Sequence, residues 1–267
     1  MKNLKEKIVL ITGGASGIGK IMGRIVLEKG ARLVIWDINQ DKIDETVSEL
    51  SKTGKVSGYR VDVADIEGVK SAADKVKADH GTVDVLINNA GVVVGKYFHE
   101  HSSKDIDRTM SINAAAPMHI TLQFLPDMMK QNSGHICNIA SSAGFVSNPK
   151  MAVYVASKWS VVGWSDSLRL EMQMLKKNIG ITTVTPYYIN TGMFDGVKSL
   201  VPILNPEKVS GRVIKAIENN RIFLSMPWPM HFVRSCQGLL PIWLFDFVMG
   251  KALRIYNAMD HFKGHQK

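Results

Sequence analysis

The sequence has few cysteines, and its amino terminus has no apolar stretch. Only Cys137 and Cys236 occur among 267 residues, so neither a disulfide framework nor a cysteine zinc site is predicted. Cys137 stands in the strand-like run 135–139, where a thiol packs as a small hydrophobe. Residues 1–7 lack the apolar core of a signal peptide, so we expect a cytoplasmic protein.

Long apolar runs, internal repeats and low-complexity linkers are also missing. Crossing a bilayer takes about 20 consecutive apolar residues, and the apolar stretch near the carboxyl terminus is interrupted by Asp246. The 45% of hydrophobic residues are enough to bury one large core. We therefore expect a main domain over residues 1–226 and an extension over 227–267. No histidine pair has a third ligand beside it in the sequence, so no metal site is predicted.

Acidic residues are outnumbered by basic ones, 24 against 33, which gives a formal net charge of +9. From residue 198 onward ten Lys or Arg oppose four Asp or Glu, so this region contributes +6. A basic surface can attract anionic membranes, nucleic acid or acidic ligands. No nucleic-acid recognition motif accompanies the charge, so we do not expect nucleic acid as a partner.

What the chain does have is a regular alternation of short apolar runs and helical patterns. The apolar runs predict strands at 8–11, 32–36, 56–61, 83–87, 134–140, 181–185 and 221–224. Helical patterns occur between them at 20–29, 40–52, 66–79, 106–129, 151–175 and 206–219. Apolar strands that alternate with helices are typical of parallel sheets covered on both faces. The predicted fold class is α/β: a Rossmann-type doubly wound parallel sheet of about seven strands, in a single domain with a carboxyl-terminal apolar helical extension.

A glycine-rich turn lies between the first strand and the first helix. Gly13, Gly17 and Gly19 let the backbone turn tightly and approach a pyrophosphate, whose charge the helix amino terminus meets. The second strand ends at Asp37, 18 residues after Gly19. A carboxylate there accepts hydrogen bonds from ribose hydroxyls and repels a 2′-phosphate. No arginine follows it, so NAD is favoured over NADP. The alternative is that Asp37 caps the next helix before Gln40.

Polar and small residues follow three further strands. Asp62 and Val63 end the third strand, residues 88–91 (Asn-Asn-Ala-Gly) end the fourth, and residues 141–144 (Ser-Ser-Ala-Gly) end the fifth. The carboxyl ends of parallel strands lie on one rim, where such sheets bind ligands. These residues are therefore predicted to face the same site as the glycine-rich turn.

Tyr154 and Lys158 lie one helical turn apart in the pattern 151–175. Residues at this spacing share a helix face, and an ammonium near a phenol lowers the phenol pKa from its usual value of about 10. A tyrosine tuned in this way can exchange a proton with a substrate oxygen. The alternative is a solvated surface pair. Asn113 has apolar neighbours within the pattern 106–129, so it needs a partner or a role if it is buried.

Together these motifs resemble the short-chain dehydrogenase/reductase family across nearly the whole chain. The matching elements are Thr12-Gly-x-x-x-Gly-Ile-Gly19, Asp37, Asp62, Asn88-Asn-Ala-Gly91, Asn113, Ser141 and Tyr154-x-x-x-Lys158. The resemblance implies an NAD(P)-dependent oxidoreductase that transfers a hydride between a nicotinamide cofactor and an alcohol or carbonyl group. A non-catalytic dinucleotide-binding sensor or scaffold of the same fold is the alternative.

The resemblance also implies roles for individual residues. Tyr154 would be the general acid and base, and Ser141, with Ser142 as its competitor, would bind the substrate oxygen. Lys158 would lower the pKa of Tyr154 and hold the nicotinamide ribose, and Asn113 would hold a water in a proton relay. The residues that match cofactor contacts of the family are Gly13, Ser16, Gly17, Ile18, Gly19, Asp37, Asp62, Val63, Asn89, Ala90, Gly91, Tyr154, Lys158, Pro186, Ile189 and Thr191.

Two stretches are similar to the branch that contains retinol dehydrogenases and lipid-droplet 17β-hydroxysteroid dehydrogenases. They are Pro186-x-x-x-Asn-Thr-Gly192 and Asn205-Pro-Glu-Lys208. The similarity implies an apolar alcohol, ketone or aldehyde substrate, steroid-, retinoid- or lipid-like, and a homodimer or homotetramer. Two features depart from the branch. Tyr187 replaces the usual glycine and brings bulk to the substrate entrance, and the hydrophobic amino-terminal anchor of those relatives is missing.

The extension is rich in aromatic and aliphatic residues, and a helical pattern follows Pro241. In that pattern Asp246, Gly250, Arg254 and Asn257 form one polar stripe. Three interpretations are open. The extension could cover the substrate pocket, pack against a second subunit, or lie on a lipid surface through its basic flanks and make the protein membrane-peripheral.

Overall fold

The computed structural model describes residues 3–264, so residues 265–267 of the predicted extension lie outside the described part. In residues 3–264, seven parallel strands form one sheet in the order β3-β2-β1-β4-β5-β6-β7. The strands are β1 (Ile8–Thr12), β2 (Arg32–Asp37), β3 (Val56–Arg60), β4 (Val85–Asn88), β5 (Gly134–Ile139), β6 (Ile179–Pro186) and β7 (Phe223–Met226). The strand order reverses between β1 and β4, which is the switch point where doubly wound sheets bind ligands. The predicted fold class is confirmed.

Helices cover both faces of the sheet. They are α1 (Gly17–Glu28), α2 (Gln40–Leu50), α3 (Ile66–His80), α4 (Ser103–Met110), α5 (Ala116–Gln131), α6 (Ala152–Met174) and α7 (Pro206–Glu218). Side chains of a strand alternate between the two faces. Val9 and Ile11 of β1 therefore pack in the core with α1 and α7, whereas Leu10 packs in the core with α3, α5 and α6. The central strand β1 is apolar throughout because both faces of the sheet are covered there, whereas the edge strand β3 is only partly buried.

One predicted helix is interrupted. The pattern 106–129 predicts a single helix, but α4 and α5 are joined by a π-helical turn at Ser111–Ala115. A π-helical turn inserts an extra residue into the helix and changes the direction of nearby side chains, and such turns are frequent at functional sites. Asn113 lies in this turn and is buried.

The extension folds onto the main domain. It forms α8 (Met230–Leu239), which the sequence did not predict, and then α9 (Ile242–Asp246), a π-helical turn at Phe247–Ala252 and a 3-10 turn at Ile255–Asn257. Buried residues of the extension, among them Met230 and Ile255, share one core cluster with Tyr154 and Tyr188. The extension is therefore part of the wall around Tyr154. Across the described residues, no helix is long and apolar enough to traverse a membrane.

Candidate active site

The carboxyl ends of β1 and β4 are tied together by Asn89. Its Nδ2 atom donates to the carbonyl oxygens of Thr12 (2.9 Å) and Gly13 (3.1 Å). The Thr12 hydroxyl accepts from the backbone N–H groups of Asn89 and Ala90, each at 3.0 Å. Gly13 and Gly17 have φ angles of 62° and 52°, a region that glycine adopts without steric cost. The glycine-rich turn is thereby held open beside the fourth strand.

The amino terminus of α1 has free hydrogen-bonding capacity. Ser16 is the N-cap residue, and within the described chain its side chain makes no capping hydrogen bond. The first N–H groups of a helix have no partner inside the helix, and together with the helix dipole they bind anions. Ser16 and Gly17 are exposed. This end of the helix therefore fits the pyrophosphate of a dinucleotide.

A groove of about 190 Å³ runs along this rim of the sheet. We call it the rim groove. The predicted site residues that line it are Gly13, Ser16, Gly17, Ile18, Asn89, Ala90, Gly91, Ser141, Tyr154, Lys158, Pro186, Ile189 and Thr191. The groove therefore brings the glycine-rich turn, the ends of β4, β5 and β6 and the Tyr-Lys helix to one place.

Asp37 lies beside the glycine-rich turn at the end of β2, half-buried. Its Oδ2 atom accepts from the N–H of Ala15 and its Oδ1 atom from the N–H of Asn39, each at 3.2 Å. The side chain that caps α2 is that of Asn39, whose Oδ1 atom accepts from Lys42 N at 3.0 Å. The capping alternative for Asp37 is therefore wrong, because the cap belongs to a residue two positions later.

Five predicted site residues do not line the rim groove, namely Gly19, Asp37, Asp62, Val63 and Asn113. Gly19 is buried in α1, where a Cβ atom would collide with the carbonyl oxygen of Gly13, so only glycine fits there. Asp62 is exposed after β3, and its Oδ1 atom accepts from the N–H of Ala64 at 2.9 Å. Val63 is half-buried beside it. The structure thus places Asp62 and Val63 farther along the rim than the groove.

The motif at 88–91 divides into two parts. Asn88 points inward, where its Nδ2 atom donates to Asn138 Oδ1 (2.8 Å) and to Thr121 Oγ1 (3.2 Å). Asn138 in turn donates to Ser165 Oγ at 2.9 Å. This buried chain of polar groups links β4, β5, α5 and α6. Buried polar groups need such partners, so Asn88 holds the elements together while Asn89, Ala90 and Gly91 line the groove.

Asn113 is buried and fully engaged. Its Oδ1 atom accepts from Val92 N and its Nδ2 atom donates to Val92 O, both at 2.8 Å. The Nδ2 atom also donates to Ser157 Oγ at 3.2 Å. A Cβ atom at Gly91 would lie 3.3 Å from Asn113 Oδ1 and 3.7 Å from Lys158 Nζ. Asn113 therefore fixes the segment after β4 directly beside Lys158.

Tyr154 and Lys158 are buried, and Ser141 beside them is half-buried. The Ser141 hydroxyl lies close enough to Tyr154 to lower the pKa of that phenol, and it donates to Pro186 O at 3.5 Å and accepts from Ala143 N at 3.2 Å.

The Lys158 ammonium lies 5.6 Å from the centre of the Tyr154 ring and donates to Ile139 O at 3.0 Å. Burial lowers the pKa of Lys158 to about 8. Ser142 lines a neighbouring cavity but not the rim groove. Ser141, rather than Ser142, is the serine that contacts Tyr154.

The pKa of Tyr154 differs from the expectation. The sequence predicts a lowered pKa, but burial raises the pKa of Tyr154 to about 12, opposed by the nearby Ser141 hydroxyl. Burial disfavours the charged form of any group. For Tyr154 this effect on the pKa is larger than the opposite effect of Ser141. In the free protein the phenol is therefore protonated at neutral pH.

A second cavity lies behind the rim groove. We call it the inner cavity. It has a volume of about 30 Å³ and shares Ser141, Tyr187 and Phe194 with the groove. Phe194 packs edge-to-face on Tyr154, with ring centres 6.1 Å apart. Met230 and Ile255 of the extension also line the cavity. Because this volume holds only about one or two water molecules, a larger molecule enters only if Phe194 or the extension moves.

Several lining residues were not predicted. Lys42 lines the rim groove from the first turn of α2. It lies only five residues after Asp37 in the sequence, so its place near the cofactor site could have been predicted. Asn148 and Tyr188 line the inner cavity, as does Met230, and no sequence pattern marks them. Tyr187 lines both spaces, in agreement with its expected place at the substrate entrance.

Comparison with known proteins gives consistent matches. A family model described as short chain dehydrogenase matches residues 7–200. Epidermal retinol dehydrogenase 2 of Homo sapiens is 36% identical over 273 residues, which cover 100% of this chain and 88% of that protein. Estradiol 17-beta-dehydrogenase 11 of Homo sapiens is 35% identical over 243 residues, which cover 90% of this chain and 81% of that protein.

Solved structures match the fold over most of its length. A short chain dehydrogenase/reductase from Burkholderia phymatum in complex with NAD has a TM-score of 0.82 and 26% identity, covering 90% of this chain and 96% of that one. A metagenomic short-chain oxidoreductase in complex with NADP has a TM-score of 0.71 and 27% identity, covering 83% and 95%. The sheet and the rim are thus shared with one protein that binds NAD and another that binds NADP.

Proposed function

This chain belongs to the short-chain dehydrogenase family and is an NAD(P)-dependent oxidoreductase of alcohol and carbonyl groups, and on this premise we propose that it converts a retinoid-, steroid- or lipid-like substrate with NAD. The observation that carries the proposal is the apolar wall of the inner cavity next to Ser141, which would receive the substrate when Phe194 or the extension moves. Retinol and estradiol, named for two relatives, are both apolar alcohols. None of the relatives described above is named as a sensor or scaffold, so nothing supports the non-catalytic alternative.

We propose that Tyr154 carries the proton that the reaction exchanges. With a pKa raised to about 12, the phenol is protonated at neutral pH and can donate to a carbonyl oxygen as that oxygen gains charge. In the reverse direction the tyrosinate takes the hydroxyl proton of the alcohol. Ser141 lies within hydrogen-bond reach of Tyr154 and would bind the same substrate oxygen.

The remaining rim residues would hold the cofactor. A nicotinamide dinucleotide would donate or accept the hydride and, when oxidised, bring a positive charge that lowers the pKa of Tyr154. The α1 amino terminus at Ser16 and Gly17 would bind the pyrophosphate. Lys158, held by Ile139 O, would bind the nicotinamide ribose, and Asn113 would support the proton relay through the position it gives Lys158.

The cofactor proposal, NAD, rests on Asp37. Its carboxylate lies beside the glycine-rich turn, where it would repel a 2′-phosphate. Lys42 lines the rim groove and is a cation that could receive that phosphate. We expect Asp37→Asn to shift the ratio of kcat/KM for NAD over NADP toward NADP by roughly 10- to 100-fold, the size of about 1.4–2.7 kcal/mol.

Steady-state kinetics with both cofactors measures this shift. Asp62→Asn, a matched change at an acid farther along the rim, is the control and is expected to alter the ratio much less. A parent protein that prefers NADP would contradict the cofactor proposal.

The substrate proposal is tested by a panel of alcohols. All-trans-retinol, estradiol and long-chain 1-alkanols are assayed with NAD by the absorbance of NADH, and ethanol and glycerol serve as small polar controls. We expect kcat/KM to rise with apolar size, because each buried methylene contributes about 0.8 kcal/mol. Equal or better turnover of the polar controls would contradict an apolar substrate.

We also propose that the protein is cytoplasmic and binds lipid surfaces peripherally through the extension. Large apolar side chains are exposed on it, namely Trp228, Phe232, Leu239, Ile242, Trp243 and Phe247. Exposed Arg234, Lys251 and Arg254 lie in the same segment. Aromatic and aliphatic residues beside basic ones are typical of segments that bind anionic membrane interfaces. The covering of the inner cavity by Met230 and Ile255 is compatible with this role, since it uses the buried side of the extension.

A homo-oligomer is proposed from a different surface. Helices α5 and α6 expose apolar side chains, namely Leu122, Trp159, Leu170, Met174 and Leu175. Contiguous exposed apolar surface marks interaction sites, so we propose that a second copy packs here. Analytical ultracentrifugation of Leu122→Glu tests it: the parent is expected as a dimer or tetramer and the variant as a smaller species. A monomeric parent at micromolar concentration would contradict the proposal.

A further inference from the structure

One aromatic side chain borders both spaces of the candidate site. The rim groove and the inner cavity share the lining residues Ser141, Tyr187 and Phe194, so these three side chains lie where the two spaces meet. Ser141 is also the residue that would bind the reacting oxygen together with Tyr154. A substrate that reacts in the rim groove and extends into the inner cavity therefore passes between Tyr187 and Phe194.

Tyr187 is held by its backbone, its ring and its hydroxyl. It directly follows β6, and its N–H donates to Met226 O at 2.8 Å beside the pairing of β6 with β7. Its ring packs edge-to-face on Tyr188, with ring centres 4.6 Å apart, and its hydroxyl lies 2.8 Å from Ser199 Oγ. Tyr187 is 6% exposed. A buried side chain with three separate sets of partners keeps its position when a ligand binds beside it.

Phe194 is held less firmly than Tyr187. It lies in the turn-rich segment between β6 and α7 and is half-buried. Its ring contacts Tyr154, Tyr188 and Phe262, at ring-centre distances of 6.1, 4.9 and 6.5 Å. Contacts between rings need no hydrogen-bond geometry, so the Phe194 ring can rotate without leaving a buried polar group unpaired. The room for a larger molecule therefore comes from Phe194 or from the extension, whereas Tyr187 stays in place.

The position of Tyr187 limits the width of the substrate at its reacting carbon. That carbon has to lie next to the hydroxyls of Ser141 and Tyr154, which is the place where the two spaces meet. A primary alcohol carries one chain on this carbon, and the chain can follow the space that Phe194 leaves. A cyclic secondary alcohol carries two branches, and the second branch presses against the Tyr187 ring. Extra methylenes forced against a packed wall are unfavourable.

We propose that Tyr187 is a specificity-determining residue, which makes the enzyme prefer primary alcohols and aldehydes with one slender apolar chain over cyclic secondary alcohols of the same carbon number. This proposal rests on the proposed function and narrows its substrate class, because retinoid-like and long-chain lipid-like alcohols are favoured over steroid-like ones. The ring of Tyr187 supplies the bulk, and the bond to Ser199 holds the ring in place.

The test compares 1-octanol with cyclooctanol, which have the same number of carbons but different widths at the reacting carbon. The ratio of kcat/KM for 1-octanol over cyclooctanol is measured with NAD in the parent and in Tyr187→Ala. We expect the parent to favour 1-octanol by roughly 10-fold or more, and the variant to lower this ratio by roughly 10-fold through faster turnover of cyclooctanol. The intrinsic reactivities of the two alcohols cancel when the proteins are compared. A parent ratio at or below one, or an unchanged ratio in Tyr187→Ala, would overturn the proposal and leave the proposed function standing.

Three further variants show whether the ring itself selects the substrate. Tyr187→Phe keeps the ring and loses the bond to Ser199, so its ratio is expected within about threefold of the parent ratio. Tyr187→Leu keeps part of the bulk and is less destabilised than Tyr187→Ala, and its ratio is expected to lie between those of the parent and Tyr187→Ala. The control is Met230→Ala, because Met230 lines the inner cavity but not the rim groove and its loss widens the site away from the reacting carbon. An equal fall of the ratio in Tyr187→Phe or in Met230→Ala would contradict the role of the Tyr187 ring.

A binding measurement separates this selection from catalysis. With NADH bound, neither alcohol is oxidised, and calorimetry is expected to show tighter binding of 1-octanol than of cyclooctanol by roughly 10-fold in the parent and a smaller preference in Tyr187→Leu. That result in a protein that oxidises neither alcohol with NAD would keep the selection by Tyr187 and reject the proposed activity. Equal affinities of the parent for the two alcohols would reject the selection.

Discussion

At the scale of residues, burial shifts the pKa values of two titratable groups in the candidate site so that their neutral forms are favoured. Burial raises the pKa of Tyr154 to about 12 and lowers the pKa of Lys158 to about 8. The lysine nitrogen is held by Ile139 O at 3.0 Å, and no carboxylate is among the causes of its shift. A buried cation with only a carbonyl partner is destabilising. The buried Lys158 ammonium therefore destabilises the folded protein at the position where the proposed reaction requires a positive charge.

This cost predicts a stability gain in Lys158→Met. The lysine pKa is lower in the folded protein than in the unfolded one, so the unfolded state binds more protons between pH 8 and 10.5 and the parent gains stability as pH rises through this window. Below pH 8 the full penalty is present. We therefore expect the variant to have a larger free energy of unfolding by about 1–3 kcal/mol at pH 7, with the gain shrinking toward pH 10.5.

Urea denaturation at a series of pH values measures this gain, and activity is expected to be lost at the same time. Lys177→Met is the matched control, because it removes a lysine–carbonyl hydrogen bond (Lys177 Nζ to Met129 O, 3.3 Å) at a less buried position. A loss of stability in Lys158→Met at every pH would show that the Ile139 bond outweighs the burial cost.

Which residues could be predicted at this scale depends on sequence distance. Tyr154 and Lys158 share a helix, and the glycines share one turn, so spacing alone predicts their proximity. Asn148 and Tyr188 are joined by a hydrogen bond across 40 residues, which no local pattern indicates. The pKa of Tyr154 was predicted in the wrong direction because spacing indicates a neighbouring charge but not the depth of burial.

At the scale of elements, the π-helical turn at 111–115 explains how a helix delivers Asn113 to the segment after β4. Asn113 makes three hydrogen bonds, two to the backbone of Val92 and one to Ser157. The turn therefore fixes the segment after β4 and, with it, the wall beside Lys158. The sequence predicted a single helix here and a partner or role for Asn113 only if it is buried, and it contains no signal for the extra residue in the turn.

This role predicts that Asn113→Ala lowers the free energy of unfolding by a large amount. The backbone N–H and carbonyl of Val92 would lose their partners, and two unsatisfied groups of this kind cost about 2–4 kcal/mol together. Chemical denaturation is expected to show this loss. Asn257→Ala, which removes one exposed hydrogen bond to Asp260, is the control and is expected to cost less than about 1 kcal/mol. A cost for Asn113→Ala below that of the control would contradict the role.

All seven strands were predicted, with errors of up to two residues at their ends. Runs such as 8–11 and 33–36 are apolar throughout because both faces of the sheet are buried, and that pattern leaves few alternatives. The strand predicted at 221–224 lies at Phe223–Met226, because Arg221 donates from its side chain to Phe223 O and stays exposed before the strand. Polar ends of this kind do not show in an apolar pattern.

At the scale of the whole molecule, the extension has two sides with different surroundings. Its buried side, including Met230, Phe245 and Ile255, packs in the cluster around Tyr154. Its other side exposes Ile242 and Trp243, which are 80% and 71% exposed. The sequence predicted an apolar extension but left three interpretations open, because an apolar composition does not tell which side meets the core. The structure places one side of the extension against the cavity wall and leaves the large apolar side chains of the other side exposed.

Lipid binding is expected to depend on the exposed side. In flotation with phosphatidylcholine–phosphatidylserine vesicles, the double variant Ile242→Asp/Trp243→Asp is expected to lower the partition coefficient at least 10-fold, because each large apolar side chain contributes about 1.5–3 kcal/mol. Binding of the parent is expected to weaken with added salt, since the flanks are basic.

The control for this experiment is Ile38→Asp/Ile66→Asp, which changes two exposed apolar residues outside both the extension and the surface proposed for the second copy. It is expected to float like the parent protein. Equal loss in both double variants, or no flotation of the parent, would reject the lipid surface as the partner of the extension.

The central claim is that the phenol of Tyr154 exchanges the proton with the substrate oxygen. The most direct test measures both the turnover of Tyr154→Phe and the affinity of this variant for NAD. The control is Tyr59→Phe, which removes the phenol hydroxyl of a β3 residue that donates a hydrogen bond to Asp79 of α3. We predict that Tyr154→Phe lowers kcat by roughly a thousandfold while the Kd for NAD stays within about threefold, and that Tyr59→Phe changes neither to that extent. Turnover by Tyr154→Phe within about tenfold of the parent would contradict the account.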